Sequence, residues 1–292
     1  MAAPVPRPAA RPPEQACGLA WGVPFPPPVT LRNLASRPGN APPTLILLTE
    51  QLSGSMSVAL AAQLREGTKK AHTMAENTGF VSCFLKGVVD KLSYRRLVAN
   101  LYFLYSAMEE EIGKLKDHPV VGPIAYDQLN RRAVLEEDMA YYFGADWRNQ
   151  VQPTPGAQIY IDRIHQVASE APELLVGHHY TRYIGDLSGG QILKNIAQKA
   201  MNLGEHDGLR FYEFDAIPDE KGFKVGYRQA LDALPIDQAT ADRIVEEANQ
   251  AFHLNMTMFQ ELEGNLVAAI GKVLFGFLTR RQRTGSTEAV AA

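Results

Sequence analysis

Apolar and polar residues alternate with a helical period along nearly the whole chain after residue 59. In SYRRLVANLYFLYSAMEEEIGKLKDHP, Leu97, Leu101, Tyr105, Met108, Ile112 and Leu115 recur every three or four residues, laying one apolar stripe along a helix. Ser93 reads as its N-cap and Pro119 as its stop. LPIDQATADRIVEEANQAFHLNMTMFQELEGNL behaves alike, with Ile244, Ala248, Phe252, Asn255, Phe259 and Leu262 on one face and the acids elsewhere. The same period predicts helices over 60–77, 80–90, 126–143, 156–169, 172–202, 219–233 and 264–279, separated by connections rich in Gly, Pro, Asn and Asp. Convincing alternating strands and internal repeats are absent, so the expected fold class is all-α, in a single domain. One stretch breaks the rhythm. In RYIGDLSGGQILKNIAQKA, from Arg182, a helical spacing carries Gly185, Gly189 and Gly190, each of which costs a helix interior roughly 1 kcal/mol relative to alanine.

The first 55 residues differ in kind: they hold twelve of the 19 prolines, several arginines and few acids. Proline removes backbone donors and blocks regular structure, so residues 1–55 are expected to be a disordered extension. It reads either as an organelle transit segment or as an over-called start ahead of Met56, the second being preferred; it lacks the pattern of a secretory signal. The helical domain is expected over 56–280, with a flexible tail at 281–292. A net charge of −3 excludes a strongly basic nucleic-acid face but permits a local basic patch. Two cysteines, Cys17 and Cys83, without a CxxC, exclude a disulfide framework or thiolate zinc site and suit a reducing compartment. No apolar run has the length of a spanning helix; LVAAIGKVLFGFLTRRQR is broken by Lys272 and reads as a terminal amphipathic helix, not a membrane anchor.

Two constellations carry candidate chemistry. In QLREGTKKAHTMAEN, Leu64, Thr68, Ala71, His72 and Ala75 share a helical face, so His72 stands among small side chains that a broad, flat body could approach. Glu76, one turn on, can reach back to one ring nitrogen, fixing the tautomer and leaving the other nitrogen for a metal. Taken alone, His72 reads as a packed or surface residue. In the second constellation Arg182, Gly185, Asp186, Gly189 and Gly190 share a face. The missing side chains expose backbone to a planar neighbour, and the helix is expected to kink there. Close helix packing would explain the glycines but not a buried Asp186 beside Arg182, because a buried ion is costly unless paired. The other histidines suggest less: His118, His165, His206 and His253 read as terminal or solvated, and the adjacent His178 and His179 cannot share one metal from a helix.

LREGTKKAH, LYFLYSAMEEE, YTRYIGDLSGGQIL and VEEANQAFHLNMTMFQELE, in this order, resemble the haem oxygenases, in particular the soluble cyanobacterial and plastid type, from about Met56 to about Thr287. The resemblance implies a helical fold that sandwiches haem between a proximal and a kinked distal helix. It implies opening of haem b, both substrate and cofactor, by O2 and electrons to biliverdin (the IX-alpha isomer), Fe(II) and CO, feeding bilin synthesis. His72 matches the proximal iron ligand, with Thr68 and Glu76 beside it. Gly185, Asp186 and Gly189 match the distal helix, where Asp186, with Arg182, Tyr105 and Asn255, would hold an ordered water network delivering protons. A thiolate ligand would favour other chemistry. Arg65, Tyr180, Lys224 and Arg228 match the residues that hold the haem propionates, for which arginine is well suited, and Phe252 and Phe259 match the pocket wall. Phe143 stands where some members carry a tyrosine, which leaves the distal network shorter or resting on Tyr142.

No flavin or dinucleotide fingerprint is present, so electrons are expected from ferredoxin, docking on a basic patch of Lys69, Lys70 and Lys194. A downstream bilin reductase is a further expected partner, and the protein is expected to be a monomer. Its location would be cytoplasmic if Met56 is the start and the plastid stroma if residues 1–55 are a transit peptide. Two alternatives remain on the same fold: a non-catalytic haem carrier or sensor, and a thiaminase-like enzyme, which would need a cavity cysteine that Cys83 does not supply.

Overall fold

The computed structural model describes residues 58–263 and the pair Ser286–Thr287. Contacts divide the chain after residue 50, and all the described residues lie beyond that point. The helix expected at 264–279 lies outside them, as do the extension 1–55 and most of the tail.

The helices are α1 (Leu60–Gly67), α2 (Lys69–Glu76), α3 (Gly79–Leu85), α4 (Lys91–Lys114), α5 (Arg132–Phe143), α6 (Pro155–Glu170), α7 (Leu175–His179), α8 (Gly185–Met201), α9 (Glu220–Asp232) and α10 (Gln238–Glu261). The only strands among the described residues are Val89–Asp90 (β1) and Ser286–Thr287 (β2), two residues each and parallel. The all-α class expected from the period is the class observed. Among the described residues, no helix is long and apolar enough to cross a membrane.

The helix starts follow from short polar side chains. Asp90, Thr154, Asp219 and Asp237 accept from the backbone N–H groups of Ser93, Ala157, Gly222 and Thr240, a device worth roughly 0.5–2 kcal/mol at each helix. Asp90, not Ser93, therefore caps α4; the Ser93 hydroxyl instead donates to the Leu262 carbonyl at 2.9 Å. Several expected boundaries contract for similar local reasons. The 80–90 segment ends as a helix at Leu85 and passes through Gly87, whose φ of 75° turns the chain. The 126–143 segment becomes a short 3-10 turn followed by α5.

Two long helices organise the core. α4 buries Leu97, Leu101, Tyr105, Met108 and Ile112 against α5 and α6. α10 buries Ile244, Ala248, Asn255 and Met258 and packs on α1, α2, α6 and α7. Each buried aliphatic side chain contributes about 1.5–3 kcal/mol. The α7–α10 crossing is close because residue 177 is glycine. A Cβ there would lie 2.8 Å from both the Ala248 nitrogen and the Ile244 oxygen.

The segment expected as one glycine-kinked helix over 172–202 divides differently. α7 passes into a π-helical turn, Tyr180–Ile184, and regular α-helix resumes at Gly185. The irregular turn lies before the glycines, and Gly189 and Gly190 sit inside regular helix. Single π-turns of this kind concentrate at functional sites.

Candidate active site

α1 and α2 run almost continuously through Thr68. Its N–H reaches the Leu64 carbonyl at 3.0 Å, and its own carbonyl accepts from the His72 N–H at 2.9 Å. The Thr68 hydroxyl also donates to the Leu64 carbonyl, at 2.7 Å, so its donor is spent within the helix. Leu64, Thr68, Ala71 and Ala75 are buried as their shared face predicts, and His72 is half-buried beside them. The Phe252 ring meets the imidazole edge-on at 5.7 Å between centroids. Nδ1 of His72 lies 3.8 Å from Oε2 of Glu76. Burial lowers the pKa of His72, with Glu76 acting against it. The favoured neutral imidazole is the form that carries a lone pair for iron. Oε1 of Glu76 is buried without a hydrogen-bond partner, leaving a spare acceptor beside the ring.

The second wall is a buried polar cluster assembled from three helices and the π-turn. Tyr105 of α4 donates its hydroxyl to Oδ2 of Asp186. Arg182 of the π-turn donates from Nε to the Tyr105 hydroxyl at 3.1 Å and from Nη1 to Oδ1 of Asn255 at 2.8 Å. Asn255 is itself fixed by donating to the Ala251 carbonyl at 3.0 Å. Nη2 of Arg182 stands 3.5 Å from Oδ1 of Asp186, long for a charge-assisted bond. Burial pushes the Asp186 carboxyl well above the usual carboxylate range and lowers Arg182. Gly185 and Gly189 are buried in the same helix. Arg182, Tyr105, Asn255 and Asp186, proposed from face sharing and resemblance, are thus brought together. α10 serves both walls, with Phe252 against His72 and Asn255 one turn later under Arg182.

A third group lines one edge. Burial raises Tyr180, while the guanidinium groups of Arg228 and then Arg65 pull it down, so three cationic or hydroxyl groups from α1, the π-turn and α9 share one locality. Lys224 lies one turn before Arg228, half-buried, 3.8 Å from Glu220. Such a set suits carboxylates. Phe259 stacks on Phe80 at 6.0 Å between centroids and is only half-buried.

One expectation fails, and one of two alternatives is removed. Lys194 does not join an exposed basic patch with Lys69 and Lys70. Its ammonium is 2.6 Å from Oε1 of the buried Glu213, with the side chain 13% exposed, because α8 turns this position toward the following loop. Lys69 and Lys70 remain exposed. Nor does Tyr142 extend the Asp186 cluster: its hydroxyl donates to the Gly208 carbonyl at 3.2 Å and its ring meets Tyr94. Phe143 lies under the Arg95 guanidinium at 5.3 Å.

Other polar groups escaped the sequence reading. His178 is buried, with Nε2 2.9 Å from Oε1 of Glu247 and Nδ1 3.4 Å from the Tyr160 hydroxyl. Arg163 clasps the same glutamate at 2.9 and 2.6 Å. Burial acts to raise Glu247, but the bonds from His178 and Arg163 outweigh it and hold the carboxyl down at about 2. Tyr212, in a 3-10 turn after α8, is buried against Gly190 of that helix. His179 meets Tyr227. Adjacent histidines do point apart, as expected, but each enters its own buried network. The one signal available was two imidazoles directly before the YTRY turn. Among the described residues, no three His, Cys, Asp or Glu side chains converge to hold a metal ion.

The chain matches known proteins in sequence and in fold. A family model described as Heme oxygenase matches residues 58–261. The chain is 65% identical over 234 residues to heme oxygenase 1 of Synechocystis sp., covering 80% of this chain and 97% of that protein. It is 53% identical over 219 residues to the heme oxygenase of Porphyra purpurea, covering 75% and 93%. The crystal structure of heme oxygenase-1 from the cyanobacterium Synechocystis sp. in complex with heme matches with a TM-score of 0.73 at 64% identity, covering 76% of this chain and 100% of that chain.

Proposed function

The chain belongs to the haem oxygenase family, and from that premise and the geometry of the site we propose that it opens haem b to biliverdin, releasing Fe(II) and CO, with O2 and electrons from outside. The observation that carries this reading is Asp186, a buried acid held by Tyr105 and flanked by Arg182 on the glycine-bearing helix. When bound, haem supplies the iron that takes up O2 and the ring that is opened.

The residues divide the remaining work. His72, neutral through burial, gives iron its protein ligand, and Glu76 orients the ring from Nδ1. Asp186 retains a proton through burial, and Tyr105 fixes the carboxyl that would release it to water. Arg182, itself braced by Asn255, holds Tyr105 in place, and the pair keeps the cluster polar without adding a second acid. Arg65, Tyr180, Lys224 and Arg228 receive the two carboxylates of haem and set its rotation, which favours opening at one bridge and the IX-alpha isomer. Phe252 closes the wall beside His72. Ferredoxin, an acidic donor, would dock at Lys69 and Lys70, and a bilin reductase would consume the product.

A haem carrier or sensor would use the same ligand and clamp but has no use for a buried, protonated acid on the opposite wall. The deciding experiment adds hemin to the protein with ferredoxin, its reductase and NADPH. Loss of the Soret band with the rise of bilin absorbance is expected; a persistent Soret band in the presence of electrons and O2 would leave only the carrier.

A further inference from the structure

One buried pair takes no part in this chemistry. His179 and Tyr227 are 2% and 1% exposed, and Nδ1 of the imidazole lies 2.7 Å from the phenol oxygen. The two rings stack at 5.5 Å, 11° from parallel, and the Tyr183 ring approaches the imidazole at 4.5 Å, tilted by 50°. Burial lowers His179 to about 3 and raises Tyr227 well above its ordinary value. Neither group changes charge near neutral pH, so the bond is permanent and its use is geometric.

Its place in the chain suggests that use. His179 ends α7 and is bonded directly to Tyr180; Tyr227 precedes Arg228 directly and follows Lys224 by three residues. One hydrogen bond therefore ties together the two backbone segments that carry three of the four groups assigned to the haem carboxylates. α9 needs such a tie. Of its thirteen residues, only Tyr227 and Leu231 are buried. Phe223 and Tyr227 rest on Tyr126, and Asp232 accepts from the Ala61 N–H at 2.9 Å.

The Asp232 bond anchors the C-terminal end of α9; the aromatic contacts hold its middle at a distance but leave the side chains there free to swing, whereas a hydrogen bond is directional. A rotation of ~10° moves side-chain atoms at the outer helix radius of about 6 Å by ~1 Å. Misplacement on that scale is enough to spoil the alignment of a reacting group.

We propose that the His179–Tyr227 hydrogen bond is the positioning device that fixes Tyr180, Lys224 and Arg228 as one clamp, and so selects which edge of haem faces the distal helix. The proposal rests on the reading of the site as the seat of haem.

The test uses the full chain loaded with haem. Tyr227→Phe keeps the ring and removes the hydroxyl; His179→Leu removes the acceptor, and His179→Asn offers an oxygen in nearly the same place. The measurements are haem affinity, the proportion of haem seatings by proton NMR of the cyanide-bound ferric form, and the biliverdin isomers by chromatography. Tyr227→Phe and His179→Leu should bind haem with little loss but raise the minor seating and minor isomers about fivefold, the ratio that one ordinary hydrogen bond sustains. His179→Asn should return both towards the parent values. Unchanged seating and isomers in a folded Tyr227→Phe would overturn the proposal; so would a failure of His179→Asn to differ from His179→Leu. Lys224→Ala combined with Arg228→Ala separates the two levels. If it alters affinity and seating while Tyr227→Phe does not, only the positioning role falls; if it alters neither, the clamp itself is misassigned.

Discussion

Replacing Asp186 by asparagine tests the protonation state on which the proposed chemistry depends. The side chain is 14% exposed and stands 3.5 Å from Arg182, and two descriptions predict different costs. If burial keeps the carboxyl protonated in the haem-free protein, Asp186→Asn exchanges one neutral hydrogen-bonding group for another, at about 0.5–1.5 kcal/mol. If instead it were ionised and paired, the change would strand a buried guanidinium, at about 3–5 kcal/mol. The raised pKa favours the first. The sign with pH follows. A carboxyl whose folded pKa lies above its unfolded value contributes fully below the ordinary carboxylate range and loses that contribution as pH rises towards the folded pKa. The slope is at most ~1.4 kcal/mol per pH unit. The stability gap between parent and variant should therefore be widest in acid and close as pH rises. Urea titrations from acid to neutral pH measure it directly, and thermal scans should show shifts of roughly 2–4 °C per kcal/mol at this size. With haem and electrons the variant should lose about a hundredfold or more in rate, because an amide keeps the geometry but supplies no proton. A loss above ~3 kcal/mol at neutral pH, with a gap that widens as pH rises, would refute the protonated-acid account.

His72→Ala should still take up haem but show no histidine ligation by electron paramagnetic resonance, and added imidazole should restore turnover; ligation like that of the parent would remove His72 as the ligand. Gly177→Ala should destabilise the fold by about 1–3 kcal/mol or more in urea unfolding, because a Cβ at 2.8 Å from the α10 backbone forces helices apart; a smaller effect would mean the crossing is loose. Lys69→Glu with Lys70→Glu should raise the KM for ferredoxin at low salt and leave haem affinity alone. Lys194→Ala should act on stability instead, because it removes one of the three cationic or imidazole partners of the buried Glu213. A Lys194 variant that changed only docking would restore it to the patch.

Much of the fold was legible because it rests on local regularities. The stripes on α4 and α10 give period, face and burial together, so most positions expected inside are inside, while Leu115, Phe252 and Phe259 are half-buried. Site residues were legible where they share one turn, as His72 with Glu76 and Arg182 with Asp186 do. Contacts between distant segments were not. Lys194 looks like any solvent-facing lysine in its own helix; only the fold shows that Glu213 lies beneath it. The π-turn was also hidden, because Gly185, Gly189 and Gly190 drew the expected irregularity to themselves, while the extra residue per turn is taken up by Tyr180–Ile184, which contain no glycine.

The most instructive omission is the tyrosines. Tyr94, Tyr105, Tyr160, Tyr183, Tyr212 and Tyr227 are each buried; by period they count as core, and all but Tyr105 were passed over. Burial raises the hydroxyls of Tyr94, Tyr160, Tyr183, Tyr212 and Tyr227, so each stays a neutral donor at working pH. Asp186 contributes to the shift at Tyr212, and Arg182 opposes it there and at Tyr160; the distal acid and its cation therefore act on this shell. That neutrality has a consequence for the acid. A lysine or a protonated histidine at Tyr105 or Tyr212 would add a second cation beside Arg182 and draw the Asp186 carboxyl down, whereas phenols hydrogen-bond without adding charge. The apolar pattern that reads as core thus also preserves the protonation of the catalytic candidate, and a cationic substitution in this shell should lower the Asp186 pKa even where it leaves the packing intact.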